Sequence, residues 1–143
     1  MFDNILGIDT KSIDEKYRLI LPKNVGCEPK EELVLICKKN YLEIRELKKV
    51  KEELQELRIN LKGATSIEIK NFYQSEIDEI TSCTEKVVSV DKQHRITLNK
   101  EIVTRYNFAN GVKIEGIVDR IRIWNPDKFL EYQNYNLNKK SRK

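Results

Sequence analysis

The chain is poor in the residues that most chemistry requires. Among its 143 residues it has one histidine, His94, one tryptophan and three cysteines. Cys27, Cys37 and Cys83 are odd in number, lie far apart and form no Cys-x-x-Cys pair. Neither a disulfide framework nor a zinc knot is expected from them. Cys37 lies in an apolar run and reads as a small buried hydrophobe, which suits a reducing cytosol. A lone turn histidine with no Cys or Ser placed beside it makes no nucleophile–base pair. Glycine-rich phosphate loops of the Gly-x-x-x-x-Gly-Lys or Gly-x-Gly-x-x-Gly kind are missing. Carboxylate pairs such as Glu76 and Asp78, or Glu52 and Glu53, fall on predicted helices as solvated charge. No catalytic set can be assembled from these parts. The chain is therefore expected to be no enzyme, and to use no metal, no cofactor and no small-molecule ligand. No apolar run approaches the length of a membrane span. The start, Met1-Phe2-Asp3-Asn4, lacks a basic stretch followed by an apolar one, so no signal peptide is expected.

What is present is charge. Charged residues make up 35% of the chain and hydrophobic residues 39%. The first share is high for a globular protein and the second low. A small protein with much surface, or one that completes its core by oligomerising, has this balance. The formal charge of +4 and a pI near 8.9 are mildly basic. Alone they do not single out a nucleic-acid partner.

The most informative feature is a repeat. Ser12-Ile13-Asp14-Glu15-Lys16-Tyr17-Arg18-Leu19-Ile20-Leu21-Pro22 aligns with Ser89-Val90-Asp91-Lys92-Gln93-His94-Arg95-Ile96-Thr97-Leu98-Asn99. The shared frame is Ser, a β-branched residue, Asp, three mostly polar residues, Arg, and a strand-like run. Further on, Leu42-Glu43-Ile44-Arg45 matches Ile121-Arg122-Ile123-Trp124 in the same order. Each unit reads as four short strands and a helix. Strands are expected near 9–13, 17–21, 33–37 and 41–45, and near 86–90, 95–98, 112–118 and 120–124. Leu42 and Ile44 are expected inside and Glu43 and Arg45 outside, with Ile121 and Ile123 inside and Arg122 outside. Leu19-Ile20-Leu21 is apolar throughout, which predicts burial on both faces. Interleaved hairpins from two units would do this, and units this small must bury their apolar faces against each other.

Leu47, Val50, Leu54, Leu57 and Leu61 form one apolar stripe over 46–61. At two heptads this reads as a surface helix on the β core rather than a coiled-coil seam. A second helix is expected over 65–80, using Ile69, Phe72, Tyr73, Ile77 and Ile80, with Gly63 as a stop between the two. A short last helix starts at Pro126, capped by Asn125. Residues 134–143 read as a frayed polar tail.

These residues resemble a known family. The Asp14-x-x-x-Arg18 and Asp91-x-x-x-Arg95 blocks are similar to the doubled Asp-x-x-x-Arg motif of MraZ, bacterial transcriptional regulators made of two AbrB-like (SpoVT-AbrB) units. The resemblance runs from Met1-Phe2 through Ile121-Arg122-Ile123-Trp124-Asn125 to Tyr132. It implies an α+β, mainly β fold: a pseudo-two-fold pair of AbrB-like swapped-hairpin units with peripheral helices. Residues 1–62 would form the first unit with helix 46–61, 63–81 a connecting helix, 82–133 the second unit with a short helix, and 134–143 a basic tail, as one compact domain. It also implies a ring-shaped homo-oligomer on double-stranded promoter DNA at short repeated boxes. The role would be a repressor of cell-wall and division genes, including its own, in the cytoplasm and on the nucleoid. The alternative is an AbrB-like antitoxin or interaction module with only autoregulatory DNA binding. Such a protein would carry a disordered partner-binding tail, whereas the residues after Tyr132 are few and basic. The chain departs from the family where Gly normally precedes the motif Arg: Tyr17 and His94 stand there. Tyr disfavours the positive φ of a tight turn, which predicts a reshaped first turn. Pro22 matches the family's Pro after the second strand, but Asn99 replaces it in the second unit. The end of the second helix, Glu76-Ile77-Asp78-Glu79, is acidic where the family is rich in Arg.

The motif's chemistry suits DNA. Asp14 and Asp91 can accept turn N–H groups and pair with their Arg, limiting its rotamers. Arg18 and Arg95 then present planar forks suited to phosphate or to guanine O6 and N7. Lys11, Lys16 and Lys23 near Arg18, and Lys86, Lys92, His94 and Lys100 near Arg95, complete one basic cluster per unit.

Overall fold

A computed structural model describes Phe2 and residues 5–141. The elements are β1 (Ile5–Lys11), β2 (Arg18–Ile20), β3 (Glu32–Cys37), β4 (Leu42–Glu46), α1 (Leu47–Gly63), α2 (Ile67–Cys83), β5 (Thr84–Ser89), β6 (Arg95–Thr97), α3 (Lys100–Arg105), β7 (Val112–Val118), β8 (Arg120–Trp124) and α4 (Pro126–Ser141). The fold is α+β. Its largest part is an antiparallel sheet of six strands in the order β1-β7-β8-β4-β3-β5.

Two hairpins, β3–β4 and β7–β8, are local, and the remaining pairings are non-local. β1 runs beside β7 over its whole length, from Ile5 opposite Val118 to Lys11 opposite Val112. β5 pairs with β3, and β4 meets β8 at the sheet's centre. The first strand of each half thus edges the strands of the other half. β2 and β6 pair with each other as a separate two-stranded ribbon.

The ribbon closes one side of the core. Leu19 and Ile96, opposite each other on it, are 0% and 1% exposed. They pack with Leu33, Leu35, Leu42, Ile44, Ile114, Ile121 and Ile123 of the sheet's inner face. Burying such a side chain contributes about 1.5–3 kcal/mol. The outer face carries a second, smaller core. Val34 and Ile36 of β3 meet Leu47, Val50, Leu54 and Leu57 of α1 and Ile80 and Cys83 of α2. The leucine stripe therefore lies on the sheet, as a surface helix would.

Several expectations need correction. Glu43 and Arg45 do turn away from Leu42 and Ile44, but they are buried, because helices cover that face. The Arg45 guanidinium is bound to Glu53 of α1, and Glu43 lies 3.6 Å from Arg120. Ile20 is 50% exposed, because a two-stranded ribbon has a core on one face only. Ile69 and Phe72 are exposed as well, since only the end of α2 near Ile80 and Cys83 lies on the sheet. α4 is not short: with no Gly or Pro after Pro126 it stays helical to Ser141. Phe129 is buried beside Trp124, on which Tyr132 stacks at 4.7 Å and against which Tyr41 tilts at 4.8 Å. β1 starts at Ile5 and ends at Lys11, bounds that pairing with β7 imposes. Finally, α3 was not foreseen. The Asn99 side chain accepts from the Ile102 N–H at 2.8 Å and caps it. The first half has Pro22 at that place and makes only a 3-10 turn over Lys23–Val25.

Candidate nucleic-acid interface

The two Asp-x-x-x-Arg turns match bond for bond. One oxygen of Asp14 accepts from the Lys16 and Arg18 N–H groups, each at 2.9 Å, and the other takes Arg18 Nε at 2.7 Å. One oxygen of Asp91 accepts from the Gln93 and Arg95 N–H groups at 2.8 and 2.9 Å, and the other takes Arg95 Nε at 2.8 Å. The backbone repeats as well. Tyr17 and His94 each donate to the carbonyl of their Asp at 3.0 Å, and each Asp N–H donates to the carbonyl of its Arg. The Arg18 N–H lowers the Asp14 carboxyl most, desolvation works against it, and the Arg18 guanidinium and Lys16 N–H lower it further. Desolvation raises the Asp91 carboxyl, but the Arg95 N–H, its guanidinium and the Gln93 N–H outweigh it and leave a net lowering. Both Asp side chains therefore stay charged.

The first turn is not reshaped. Tyr17 has a φ of +63° and His94 one of +59°. A side chain in the left-handed region costs about 1–2 kcal/mol. Long-range bonds hold both residues there: the Leu98 N–H donates to the Tyr17 carbonyl at 2.8 Å, and the Leu21 N–H to the His94 carbonyl at 2.9 Å. Each turn is thus braced by the strand of the other half.

On the ribbon, Arg18 lies opposite Thr97 and Ile20 opposite Arg95. Leu19 and Ile96 point into the core, so these four side chains share the outward face. The sequence suggested one basic cluster per unit; the pairing brings both arginines onto one surface. Their side chains are 29% and 22% exposed, so neither is sealed in. Each engages its Asp through Nε, and no further bond of either guanidinium is found among the described residues. The η nitrogens therefore remain available to an outside acceptor.

The other expected residues fall around this surface. Lys16 and Lys92 are exposed within their turns. Lys23 and Lys100 are exposed and equivalent, each three residues beyond the end of its ribbon strand. The His94 ring is held rather than free, its Nδ1–H donating to the Cys27 carbonyl at 3.0 Å. Lys11, at the end of β1, is half-buried with its ammonium 4.0 Å from Asp9. Sequence reasoning missed Ile20 and Thr97 as surface residues, although a signal existed. Ile20 aligns with the polar Thr97, and in a ribbon with Leu19 and Leu21 inside it must face out.

Among the described residues, no His, Cys, Asp or Glu side chains group in threes that could hold a metal, and no helix is long and apolar enough to cross a membrane. No protein-family model matches the chain. Over 137 residues, covering 92% of this chain and 89% of the relative, it is 26% identical to the transcriptional regulator MraZ of Clostridium tetani (strain Massachusetts / E88). That likeness supports membership of the MraZ family.

Proposed function

We propose that this chain is a sequence-specific DNA-binding transcriptional regulator. It represses cell-wall and division genes, its own among them, as a ring-shaped homo-oligomer bound to short repeated boxes of promoter DNA. It acts in the cytoplasm, on the nucleoid. Its two AbrB-like units, residues 1–62 and 82–133, form a pseudo-two-fold pair of swapped hairpins joined by 63–81. The strand order supports that pairing: β1-β7-β8-β4-β3-β5 reads the same, reversed, when β1–β4 are exchanged with β5–β8.

One observation carries the DNA-binding reading. Two identically braced arginines stand on one outward ribbon face with η donors that no described residue engages. Asp14 and Asp91 fix the rotamers, Arg18 and Arg95 make the contacts, Lys16, Lys92, Lys11, Lys23 and Lys100 supply the surrounding positive edge, and His94 adds a polar ring beside Arg95. A net +4 per chain gives modest affinity alone. Linked copies on repeated sites multiply it by about 10²–10⁴. Self-assembly is supported by apolar side chains left exposed, among them Ile67, Ile69 and Phe72 on α2 and Leu130, Tyr135 and Leu137 on α4.

The test is Arg18→Ala with Arg95→Ala in a mobility shift on the protein's own upstream region. The double variant should lose binding while keeping the wild-type oligomer by light scattering. Wild-type affinity in that variant would show that the contact surface lies elsewhere. The exposed side of α4 also favours a second reading, an antitoxin-like interaction module. That reading requires a foreign protein bound to α4, and binding that survives the double Arg substitution.

A further inference from the structure

Next to both arginine positions the ribbon presents an apolar side chain to solvent. Ile20 stands directly opposite Arg95, half exposed, while its neighbours Leu19 and Leu21 are sealed in the core. Thr97, its equivalent on β6, stands opposite Arg18 and is exposed as well. The flanking η donors say what covers this patch: a partner that offers hydrogen-bond acceptors on either side of a small apolar group.

The major-groove edge of duplex DNA is such a surface. Guanine offers N7 and O6 as acceptors, and thymine offers a 5-methyl group. The dimensions agree. Paired strands lie about 4.8 Å apart, so a two-stranded ribbon with its side chains enters a groove about 12 Å wide. Arg18 and Ile20, two residues apart on one strand, are spaced by about 6.6 Å, close to the roughly 6.8 Å of two base-pair steps.

We propose that Ile20 and Thr97 are sequence-reading positions, with Ile20 packed on the 5-methyl of a thymine within about two base pairs of a guanine held by Arg18 or Arg95. This deepens, and rests on, the DNA-binding reading above. The two arginines are equivalent, but Ile20 and Thr97 are not: one offers only methyl groups, the other a methyl and a hydroxyl. The ribbon therefore reads its two halves differently.

The experiment uses the full chain and the duplex that it enriches from a random pool. Each thymine is replaced singly by deoxyuridine, which lacks only the 5-methyl. At one position wild-type affinity should fall about four-fold, the worth of one buried methyl. Ile20→Ala should bind the unmodified duplex about four-fold more weakly, lose all sensitivity to that replacement, and keep the wild-type salt dependence. Ile20 is half exposed, so a thermal melt should confirm that the variant folds as wild type does. Thr97→Ala, reselected on the pool, should relax preference at a different base pair. If Ile20→Ala remains as sensitive to deoxyuridine as wild type, or if no thymine replacement matters, the proposal fails while DNA binding stands. If wild type enriches no sequence at all, both fall.

Discussion

Arg18 lies diagonally across the β2–β6 ribbon from Arg95, Arg18 being opposite Thr97 and Arg95 opposite Ile20. Diagonal neighbours in an antiparallel pair are about 7–8 Å apart. That is the spacing of the backbone positions; each guanidinium reaches back along the ribbon to the Asp of its own turn. Asp14 and Asp91 thus set a counter-charge beside each arginine, at 2.7 and 2.8 Å. The ribbon therefore carries two arginines on one face, each with its own carboxylate.

Arg18→Lys and Arg95→Lys should separate charge from geometry. Lysine keeps the positive charge but has no planar fork. Non-specific affinity and the slope of log K against log salt should stay near wild type. Discrimination between the selected duplex and a scrambled one should fall by about 1–3 kcal/mol if a guanine contact is lost. Competition titrations at several salt concentrations measure both.

Asp14 and Asp91 should make stability sensitive to acid. Their folded carboxyls sit below the ordinary value of 3.8. Their contribution is thus complete above that value and lost as pH falls through the lowered one. Asp14→Asn with Asp91→Asn should be less stable than wild type at pH 5, and the gap should close towards pH 3 and below. Urea unfolding across that range is the measurement. A gap that widens on acidification would mean that the carboxylates are not what braces the turns.

Val118 ends β7 at a φ of +59°, and the Asp119 N–H closes a tight turn onto the Ile117 carbonyl at 2.6 Å. A β-branched residue is strained there. Val118 is half exposed, so little packing is lost on replacing it. Val118→Asn should stabilise the protein by about 1 kcal/mol and raise the melting temperature by about 3 °C. His94→Gly relieves similar strain but loses the bond to the Cys27 carbonyl. Its net effect should be close to zero.

Arg45 is buried under α1 with Glu53 as its partner. Glu53→Ala strands that guanidinium. The cost should be about 2 kcal/mol, below the roughly 3–5 of a fully buried pair, because Glu53 is 39% exposed. Arg45→Met together with Glu53→Leu should recover most of the loss. Thermal melts of the two variants decide it.

Much was legible in the residue order. Alternation in Leu42–Arg45 and 121–124 assigned the inner face of both central strands, because side chains alternate with a period of two. The 3-4 spacing of Leu47, Val50, Leu54 and Leu57 placed α1 on the sheet. The repeat located both Asp-x-x-x-Arg turns, whose bonds are local, spanning four residues, and so can be inferred from composition and spacing. Asn99 and the apolar Ile102, Val103 and Tyr106 carried the signal for α3, unrecognised beside a longer pattern of strands.

The residue order by itself determined what depends on near neighbours: the faces of the strands, the stripe on α1 and the capture of each Arg by its Asp. Tertiary structure alone decided that β2 pairs with β6, that Glu43 and Arg45 are buried, and that Ile20 stands in solvent beside two arginines. Those outcomes depend on which distant segment covers which face. The pattern of one strand states that a face is apolar, but not what will lie against it.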